Sequence, residues 1–360
     1  MKIVFSVTNN LVYDQRMQRI CSTLASQKNE VVLIGSAFYN APALQKTNFK
    51  QKRLFCLTKK GPLFYAEYNI RLLLYLLFIN TEAYVAIDLD TILPNYFASI
   101  IRRKKRVYDA HELFTELKEI VTRPKIQKLW LGIEAFALPK FPKGYTVNHF
   151  LAKTFLEKYG VKYAVIRNMP LLKNVPNSMV KKENVLLYQG AVNEGRSFET
   201  LIPAMQLIDA TLVICGTGNF MPQLQKLIVE NKVAHKVVLK GMVTPDVLAQ
   251  ITPTAKIGLT LFEPTGLNQT YSLANRFFDY MMAGIPQICV NYPEYAAINT
   301  SHNIAYLIND TSPSSIANAV NKLLIDNVLY NEMVNNCQLA RTQLCWENEQ
   351  KNLIEFYKAL

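Results

Sequence analysis

Short apolar runs alternate along this chain with stretches in which apolar residues recur every three or four positions. Runs such as 2–7 and 84–89 predict buried strands, whereas stretches such as 14–26 and 64–79 predict helices. Nearly continuous apolar strands separated by helices are typical of a parallel sheet that is covered on both faces. The pattern therefore predicts an α/β fold of the doubly wound type.

The alternation forms two series. Residues 169–182 interrupt it with Pro170, Pro176 and charged ends, which is the composition of a linker. The second series of strands runs from 185 to 308, and an apolar helical set closes the chain. Because ligands of doubly wound sheets bind at the carboxyl ends of the strands, the site is expected in a cleft between two domains.

The expected domain organisation follows from these breaks. It comprises a Rossmann-like domain over 1–168, a linker over 169–182, a second Rossmann-like domain over 183–345, and a C-terminal helix over 346–360 that is expected to cross back to the first domain. A chain of 360 residues suits two domains of roughly 150–180 residues each.

Composition narrows the class of protein. Six cysteines are scattered without C-x-x-C spacing, which favours buried thiols in a reducing compartment over disulfides or a zinc site. The first apolar run is too short for a signal peptide, and the longest one, 72–79, is far below the roughly 18 residues that span a bilayer. We expect a cytoplasmic protein.

Charge is concentrated in the first half. Residues 1–175 hold 27 Lys and Arg against 12 Asp and Glu, whereas the remainder holds 13 against 15. The basic half includes the run Arg102–Arg106. Such a surface attracts nucleic acid, anionic lipid headgroups or an acidic acceptor, or it is a solvated face that aids solubility.

The segment 262–286 carries the strongest chemical signal. It joins a buried strand to a polar loop and then to a helix that we expect to begin at Ser272 and to end at Gly284, with carboxylates at Glu263 and Asp279. A helix N-terminus offers free N–H groups to a phosphate, and nearby carboxylates accept protons from sugar hydroxyls. This arrangement predicts a sugar-nucleotide site.

Two glycine loops accompany this segment. The first contains Gly190, Gly195 and Arg196, so the backbone can approach a ligand beside a cation. The second is Gly216-Thr217-Gly218 after the next strand. Neither fits a Walker or G-x-G-x-x-G pattern, and glycine also serves packing alone in many α/β turns.

Taken together, these motifs resemble those of family 4 retaining glycosyltransferases of the GT-B fold (bacterial type). The residues that carry the resemblance cover nearly the whole chain: Asp14–Met17 after the Thr8–Asn10 loop, Tyr108–Glu116, Tyr188–Arg196, Asn275–Met281 and Ala283–Pro286. The spacing departs from the family at Tyr271, where relatives carry the first of two Glu, and Arg276 stands where they often have Lys.

The resemblance implies a role for each matching residue. Those on the donor diphosphate are Gly190, Arg196, Ser272 and Arg276. Those on the ribose and donor sugar are Asp279, Glu263, Gly216 and Asn275. Those on the acceptor side are Asn9, Asn10, Asp14, Arg16 and Glu112. His111 and Arg196 are assigned catalytic roles, His111 as a neutral imidazole that hydrogen-bonds or polarises the reacting sugar, although a lone histidine is often structural.

Asp88-Leu89-Asp90 resembles the metal-binding Asp-x-Asp of another glycosyltransferase fold. Because the GT-B class that the chain resembles does not need that metal, we favour a structural or acceptor-side role and expect neither a metal nor a cofactor.

The implied function is transfer of a sugar from a nucleotide-diphosphate donor to a glycan or lipid-linked acceptor, with retention, in cell-surface polysaccharide or glycolipid synthesis. The basic first domain is expected to meet an anionic membrane surface, so the enzyme is peripheral at the inner face, with no nucleic acid as partner. Two alternatives remain: a sugar-nucleotide epimerase of the same architecture and a basic nucleic-acid-binding protein.

Overall fold

Two α/β units account for the chain in the computed structural model, which describes residues 1–172 and 183–360. The first unit contains residues 1–168 and 349–360, and the second contains residues 169–348. Most of the predicted linker, residues 173–182, lies outside the described residues.

The first unit is built on a parallel sheet of seven strands in the order β3-β2-β1-β4-β5-β6-β7. Its strands are β1 (Lys2–Ser6), β2 (Glu30–Ala37), β3 (Lys50–Phe55), β4 (Ala83–Ile87), β5 (Lys105–Ala110), β6 (Gly144–Thr146) and β7 (Ala164–Val165). Every residue of the central strand β4 is buried, as expected when helices cover both faces of a sheet.

Helices connect these strands. They are α1 (Gln15–Ser26), α2 (Gly61–Phe78), α3 (Ile92–Ile101), α4 (Lys118–Val121), α5 (Pro124–Ala137) and α6 (His149–Tyr159). Local sequence sets their ends: the side chain of Asp14 accepts from Met17 N at the start of α1, and Asn148 accepts from Leu151 N at the start of α6. Gly160, with φ of 68°, ends α6 in the left-handed conformation that glycine adopts without strain.

The second unit repeats the plan with a parallel sheet of six strands in the order β10-β9-β8-β11-β12-β13. Its strands are β8 (Val185–Gln189), β9 (Thr211–Cys215), β10 (Val237–Gly241), β11 (Ile257–Thr260), β12 (Gln287–Val290) and β13 (Ala305–Ile308). Its helices are α7 (Phe198–Ala204), α8 (Met221–Glu230), α9 (Pro245–Ile251), α10 (Leu267–Thr270), α11 (Asn275–Met282), α12 (Pro293–His302), α13 (Pro313–Ile325) and α14 (Asn327–Gln343), followed by α15 (Trp346–Lys358).

The last helix, α15, returns to the first unit, as expected from the sequence. Tyr357 is buried there, with its ring 6.1 Å from that of Phe5 and its hydroxyl 3.3 Å from the hydroxyl of Tyr145. The division of the chain falls inside α15, because residues 346–348 belong to the second unit and 349–360 to the first.

Strand order fixes where ligands approach each unit. In both sheets the direction of winding reverses once, between β1 and β4 and between β8 and β11. Loops that leave the carboxyl ends of two such neighbouring strands diverge and open a crevice. The Thr8–Asn10 loop and the Gly190–Arg196 loop follow β1 and β8, so both predicted loops lie at these points.

The predicted doubly wound fold with two sheets is confirmed, but one helix start is wrong. The helix expected to begin at Ser272 begins at Asn275, because the short helix α10 and a turn precede it. Among the described residues, no helix is long and apolar enough to cross a membrane. All six cysteines are free and buried.

Replacing Tyr357 by alanine tests the contribution of α15 to the first unit. The substitution leaves a cavity beside Phe5 and Tyr145, so we expect it to lower the free energy of unfolding by about 3 kcal/mol. Urea denaturation followed by circular dichroism measures the change. Lys358→Ala, on an exposed position of the same helix, is the control and should stay within about 0.5 kcal/mol. Equal stability of the two variants would contradict the packing described.

Candidate functional site

A buried ion pair organises the carboxyl edge of the first sheet. Arg16 Nη2 lies 2.9 Å from Asp109 Oδ1, and the two side chains are 5% and 0% exposed. Arg16 Nη1 also donates to the carbonyl of Ile166 at 3.3 Å. Burial alone would raise the pKa of Asp109, but Arg16 and His111 together lower it. Arg16, predicted to line the acceptor side, is thus tied to the sheet edge by this pair.

His111 sits between two carboxylates. Its Nδ1 lies 3.2 Å from Asp88 Oδ2, its Nε2 lies 3.3 Å from Asp109 Oδ2, and its backbone N–H donates to Asp88 Oδ1 at 2.8 Å. Burial disfavours the imidazolium, but Asp88 and Asp109 outweigh it and raise the pKa of His111 to about 10.

The contact with Arg16 opposes protonation of His111. A guanidinium only donates, and its Nε lies 2.9 Å from His111 Nε2, a distance that suits an unprotonated nitrogen. We favour the imidazolium, because Asp88 and Asp109 flank the ring and a neutral ring would leave Asp88 without a cationic partner in this cluster. The neutral imidazole expected from the sequence is therefore not the favoured form.

Asp88 and Asp90 both belong to this cluster, but they do not lie on a strand. Strand β4 ends at Ile87, and Asp88 has φ of 53°, so the chain turns before Asp90. Thr8 Oγ1 donates to Asp90 Oδ2 at 2.6 Å. Burial, with smaller contributions from neighbouring acids, raises the pKa of Asp90 to about 7.

The remaining residues predicted on the acceptor side mostly build their own loop. Asn9 Nδ2 donates to Asp14 Oδ2 at 2.7 Å, and Asn9 Oδ1 accepts from Leu11 N at 2.9 Å. Asn10 Oδ1 accepts from Val12 N, and Asp14 caps α1. These three side chains fold the loop between β1 and α1. Glu112 follows His111 in the next loop and is half-buried.

In the second unit, the Gly190 loop is braced by the Gly216 loop. Gly190 N donates to Cys215 O at 3.0 Å, and Val192 N donates to Thr217 O at 3.0 Å. A methyl group on Gly216 would overlap the carbonyl oxygen of Gly190. Gly216, predicted to contact the donor, lies against the first glycine loop and fixes its path.

Arg276 is a buried cation held by aromatic rings. Its guanidinium carbon lies 4.5 Å from the ring centres of both Tyr188 and Phe262, and the residue is 7% exposed. Nη1 donates to Gln189 O at 3.3 Å, whereas Nε and Nη2 have no hydrogen-bond partner in the part of the chain that the structure describes. Ring faces attract a cation without cancelling its charge, so this site keeps positive potential for an anion.

Gly190 and Arg196 complete the surroundings of this cation. A methyl group on Gly190, which has φ of 128°, would come within 3.2 Å of Arg276 Nη1, so the missing side chain leaves space there. The guanidinium carbon of Arg196 lies 4.5 Å from the ring centre of Phe262. Two cations thus contact one aromatic ring beside a glycine loop.

Two predicted carboxylates lie near these cations. Glu263 N donates to Gly195 O at 3.1 Å, which places the half-buried Glu263 next to the loop that carries Arg196. Asp279 Oδ2 accepts from Gln189 Nε2 at 3.0 Å. The Gln189 side chain is oriented in turn by Thr252, whose hydroxyl donates to Gln189 Oε1 at 2.9 Å.

Ser272 and Asn275 differ in their contacts and exposure. Ser272 Oγ donates to the carbonyl of Gln269 at 2.9 Å, so it closes the turn before α11 instead of capping that helix. Ala274 is the N-cap residue, and its N–H donates to the hydroxyl of Tyr295 at 2.9 Å. Asn275 is exposed in the first turn of α11.

Sequence reasoning missed several members of both clusters. Tyr188 and Gln189 belong to a motif that carries the family resemblance, and Phe262 begins the segment 262–286, but none of the three was assigned a role. Gln189 orients Asp279, and Tyr188 and Phe262 hold Arg276. Their places at or just after the carboxyl ends of β8 and β11 are a further signal. Across residues 1–172 and 183–360, no group of three or more His, Cys, Asp or Glu side chains is placed to hold a metal ion.

The two-sheet architecture defines the GT-B fold of glycosyltransferases. It matches HepE of Anabaena in complex with UDP and glucose with a TM-score of 0.77 at 14% identity, covering 100% of both chains. It also matches the sucrose-phosphate synthase of Thermosynechococcus elongatus with a TM-score of 0.77 at 16% identity, covering 100% of this chain and 98% of that one.

Part of the chain also matches a protein-family model in sequence. Residues 173–339, a little under half of the chain, match the family model "Glycosyl transferases group 1". An uncharacterized glycosyltransferase of Methanocaldococcus jannaschii is 27% identical over 183 residues, which span 49% of this chain and 45% of that protein. The chain thus covers less than half the length of this relative.

The protonation of His111 can be tested through pH. Because its pKa in the folded protein lies above the value of 6.5 for a free histidine, its contribution to stability is complete below about pH 6.5 and is lost towards pH 10. We expect the stability difference between the wild type and His111→Asn to shrink over that range in urea titrations.

In NMR titrations, Asp88→Asn should lower the pKa of His111. A wild-type pKa at or below 6.5 would rule out the imidazolium.

The bracing role of Gly216 can be tested with glycine variants. Gly216→Ala must displace the Gly190 carbonyl, so we expect a loss of about 1–3 kcal/mol in unfolding free energy. The control is Gly132→Ala, inside α5, where no atom lies within 4 Å of the added methyl group. That change should stabilise the protein by up to about 1 kcal/mol. Denaturation midpoints that move in the same direction would contradict the contact.

Proposed function

We propose that this protein is a retaining glycosyltransferase. It takes a sugar from a nucleotide-diphosphate donor and passes it to a hydroxyl group of a glycan or lipid-linked acceptor. One observation carries the proposal: the buried guanidinium of Arg276 has two donors without a partner among the described residues and lies beside the open Gly190 loop. Buried donors left unpaired are costly, so they indicate a ligand that completes them.

A diphosphate is the ligand that this arrangement suits. Arg276 and Arg196 contact the same ring, and a guanidinium matches phosphate oxygens with parallel N–H donors. When the bond between the sugar and the diphosphate breaks, negative charge grows on the diphosphate, and cations that are already in place stabilise it. We therefore assign Arg196 and Arg276, with Gly190, to the leaving group.

The reaction we propose is a substitution on one face of the sugar. The bond from the anomeric carbon to the diphosphate breaks, the acceptor oxygen bonds to that carbon from the same side, and a diphosphate oxygen takes the acceptor proton. This scheme needs no protein nucleophile, so the work of the protein is positioning and charge stabilisation. It also uses no metal or organic cofactor, since the two arginines supply the positive charge.

The other roles follow from position. Asp279, oriented through Gln189, holds the ribose hydroxyls, with Asn275 beside it at the start of α11, and Glu263, beside the Gly195 loop, faces the donor sugar. Ser272 and Gly216 support this region through the backbone.

The acceptor side is assigned to the first unit, where Asp90 and Glu112 offer carboxylates near His111. Asn9, Asn10, Asp14 and Arg16 shape that edge through the contacts described above. In this assignment the His111 imidazolium contributes charge and orientation; it does not act as a base.

The donor and the pathway are narrower proposals. The structural neighbour HepE was solved with UDP and glucose, which makes UDP-glucose the first donor to test. We assign the reaction to cell-surface polysaccharide or glycolipid synthesis on the cytoplasmic side of the membrane. The alternatives of an epimerase and a nucleic-acid-binding protein are not favoured, because the matched family is one of glycosyl transferases.

Donor binding can be measured by thermal shift with UDP, GDP, ADP and their sugars, with and without EDTA. We expect at least one nucleoside diphosphate to raise the melting temperature, with no need for metal. Arg276→Met should abolish that shift, while leaving the melting temperature of the unliganded protein unchanged or higher, because it replaces an unpaired buried charge by an apolar side chain.

Lys226→Ala, an exposed cation of the second unit, is the matched control and should keep the full shift. Absence of any shift in the wild type, or an undiminished shift in Arg276→Met, would refute the donor site.

Retention is tested by NMR of the glucose released from UDP-α-glucose, whose first-formed anomer should be α.

A further inference from the structure

Helix α2 is apolar on the side that faces solvent. Leu63, Ile70, Leu74 and Phe78 are 72%, 61%, 54% and 84% exposed, and their spacing places them on one stripe of the helix. The opposite side, which includes Phe64, Tyr68, Leu72 and Leu76, is buried in the first unit. The core thus accounts for only one of the two apolar sides of α2.

Two neighbouring helices also carry exposed apolar side chains. Helix α2 packs against α3, and the ring of Tyr65 lies 5.6 Å from that of Trp130 in α5. We define the apolar helix face as the exposed apolar residues of these three helices: Leu63, Ile70, Leu74, Phe78, Phe97, Ile100, Ile101, Leu129, Leu131 and Phe136. Single exposed apolar residues are ordinary on a protein surface, whereas ten of them on three neighbouring helices indicate a contact surface.

Cations surround this face. Exposed basic residues stand on the same helices or next to their ends: Lys59, Lys60, Arg71, Arg102, Arg103, Lys125 and Lys128. The carboxylate of Glu67 accepts from Thr58 Oγ1, from Leu57 N and Thr58 N, and from Arg71 Nε, and these hydrogen bonds lower its pKa to about 2. The face therefore combines apolar side chains with a marked excess of positive charge.

The basic run 102–106 contributes less than its sequence suggests. Arg106 Nε donates to Lys140 O, and its guanidinium carbon lies 5.5 Å from the ring centre of Tyr96. Lys105 Nζ donates to the carbonyl of Leu360. Both side chains make contacts within the fold, Lys105 at an exposed position. Arg102 and Arg103 are the exposed cations that follow directly after the end of α3.

We propose that the apolar helix face docks this protein on the surface of a bilayer that contains anionic lipid. Leu, Ile and Phe side chains insert at the boundary between headgroups and acyl chains, while Lys and Arg beside them bind the headgroup phosphates. Apolar insertion and attraction to anionic headgroups thus act together at one surface. Basic residues scattered over the protein would supply the attraction but not the insertion.

Charge distinguishes a bilayer from the other occupants. A second copy docked about a two-fold axis would bring the same cation-rich face of both copies together, and like charges oppose such contact. Nucleic acid would neutralise the cations but would leave the aliphatic side chains of Ile70 and Leu74 without a suitable partner. An anionic lipid surface satisfies both components of the face.

Flotation with vesicles tests the proposal without reference to enzyme activity. The full chain is mixed with vesicles of phosphatidylcholine alone or of phosphatidylcholine with phosphatidylglycerol. We expect binding to the vesicles that contain phosphatidylglycerol, and a reduction of about tenfold for the double variant Leu74→Ser/Phe78→Ser. Lys125→Gln/Lys128→Gln should weaken binding and reduce its sensitivity to salt.

The matched control is Val328→Ser/Leu339→Ser, two residues of the second unit that are 81% and 67% exposed, and it should bind like the wild type. Circular dichroism and melting temperature confirm that each variant folds. Absence of wild-type binding, or equal binding by Leu74→Ser/Phe78→Ser, overturns the proposal. The proposal is also overturned if light scattering shows a wild-type dimer that Leu74→Ser/Phe78→Ser converts to a monomer. Salt-sensitive binding to RNA or DNA without binding to the vesicles overturns it as well.

Discussion

Parallel strand direction is the constraint on which the rest of the structure depends. Because every ladder in both sheets is parallel, the carboxyl ends of the strands gather at one edge of each sheet. The order of winding reverses between β1 and β4 and between β8 and β11, so the loops with charged side chains leave neighbouring strands in diverging directions. Residues distant in sequence, such as Arg16 and Asp109, meet only because of this arrangement.

The two units treat their buried cations in opposite ways. Arg16 is neutralised by Asp109 in a direct ion pair. Arg276 lies between Tyr188 and Phe262, which hold it without cancelling its charge. The Arg16–Asp109 pair holds helix α1 against the carboxyl edge of the first sheet. The arrangement around Arg276 keeps an electrostatic potential available for a ligand at the expense of the stability of the unliganded protein.

The sequence was sufficient for the fold because strands such as β4 are buried along their whole length and leave a continuous apolar signal. Contacts between separate segments left no such signal. The start of α11 was misplaced because the turn at Ser272 is held by Gln269 and Tyr295. The positions of Asp88 and Asp90 were not predicted because they depend on where β4 ends. Gly216 was visible in the sequence, but its packing against Gly190 was not.

The position of α15 has a consequence for how the chain folds during synthesis. The first unit emerges from the ribosome first, yet Leu353 and Tyr357, which complete its core, are made after the whole of the second unit. Until then, Phe5 and Tyr145 lack the side chains that cover them. The core of the nascent first unit is therefore incomplete while the second unit is translated, and the apolar surface exposed in that interval is open to aggregation and to chaperones.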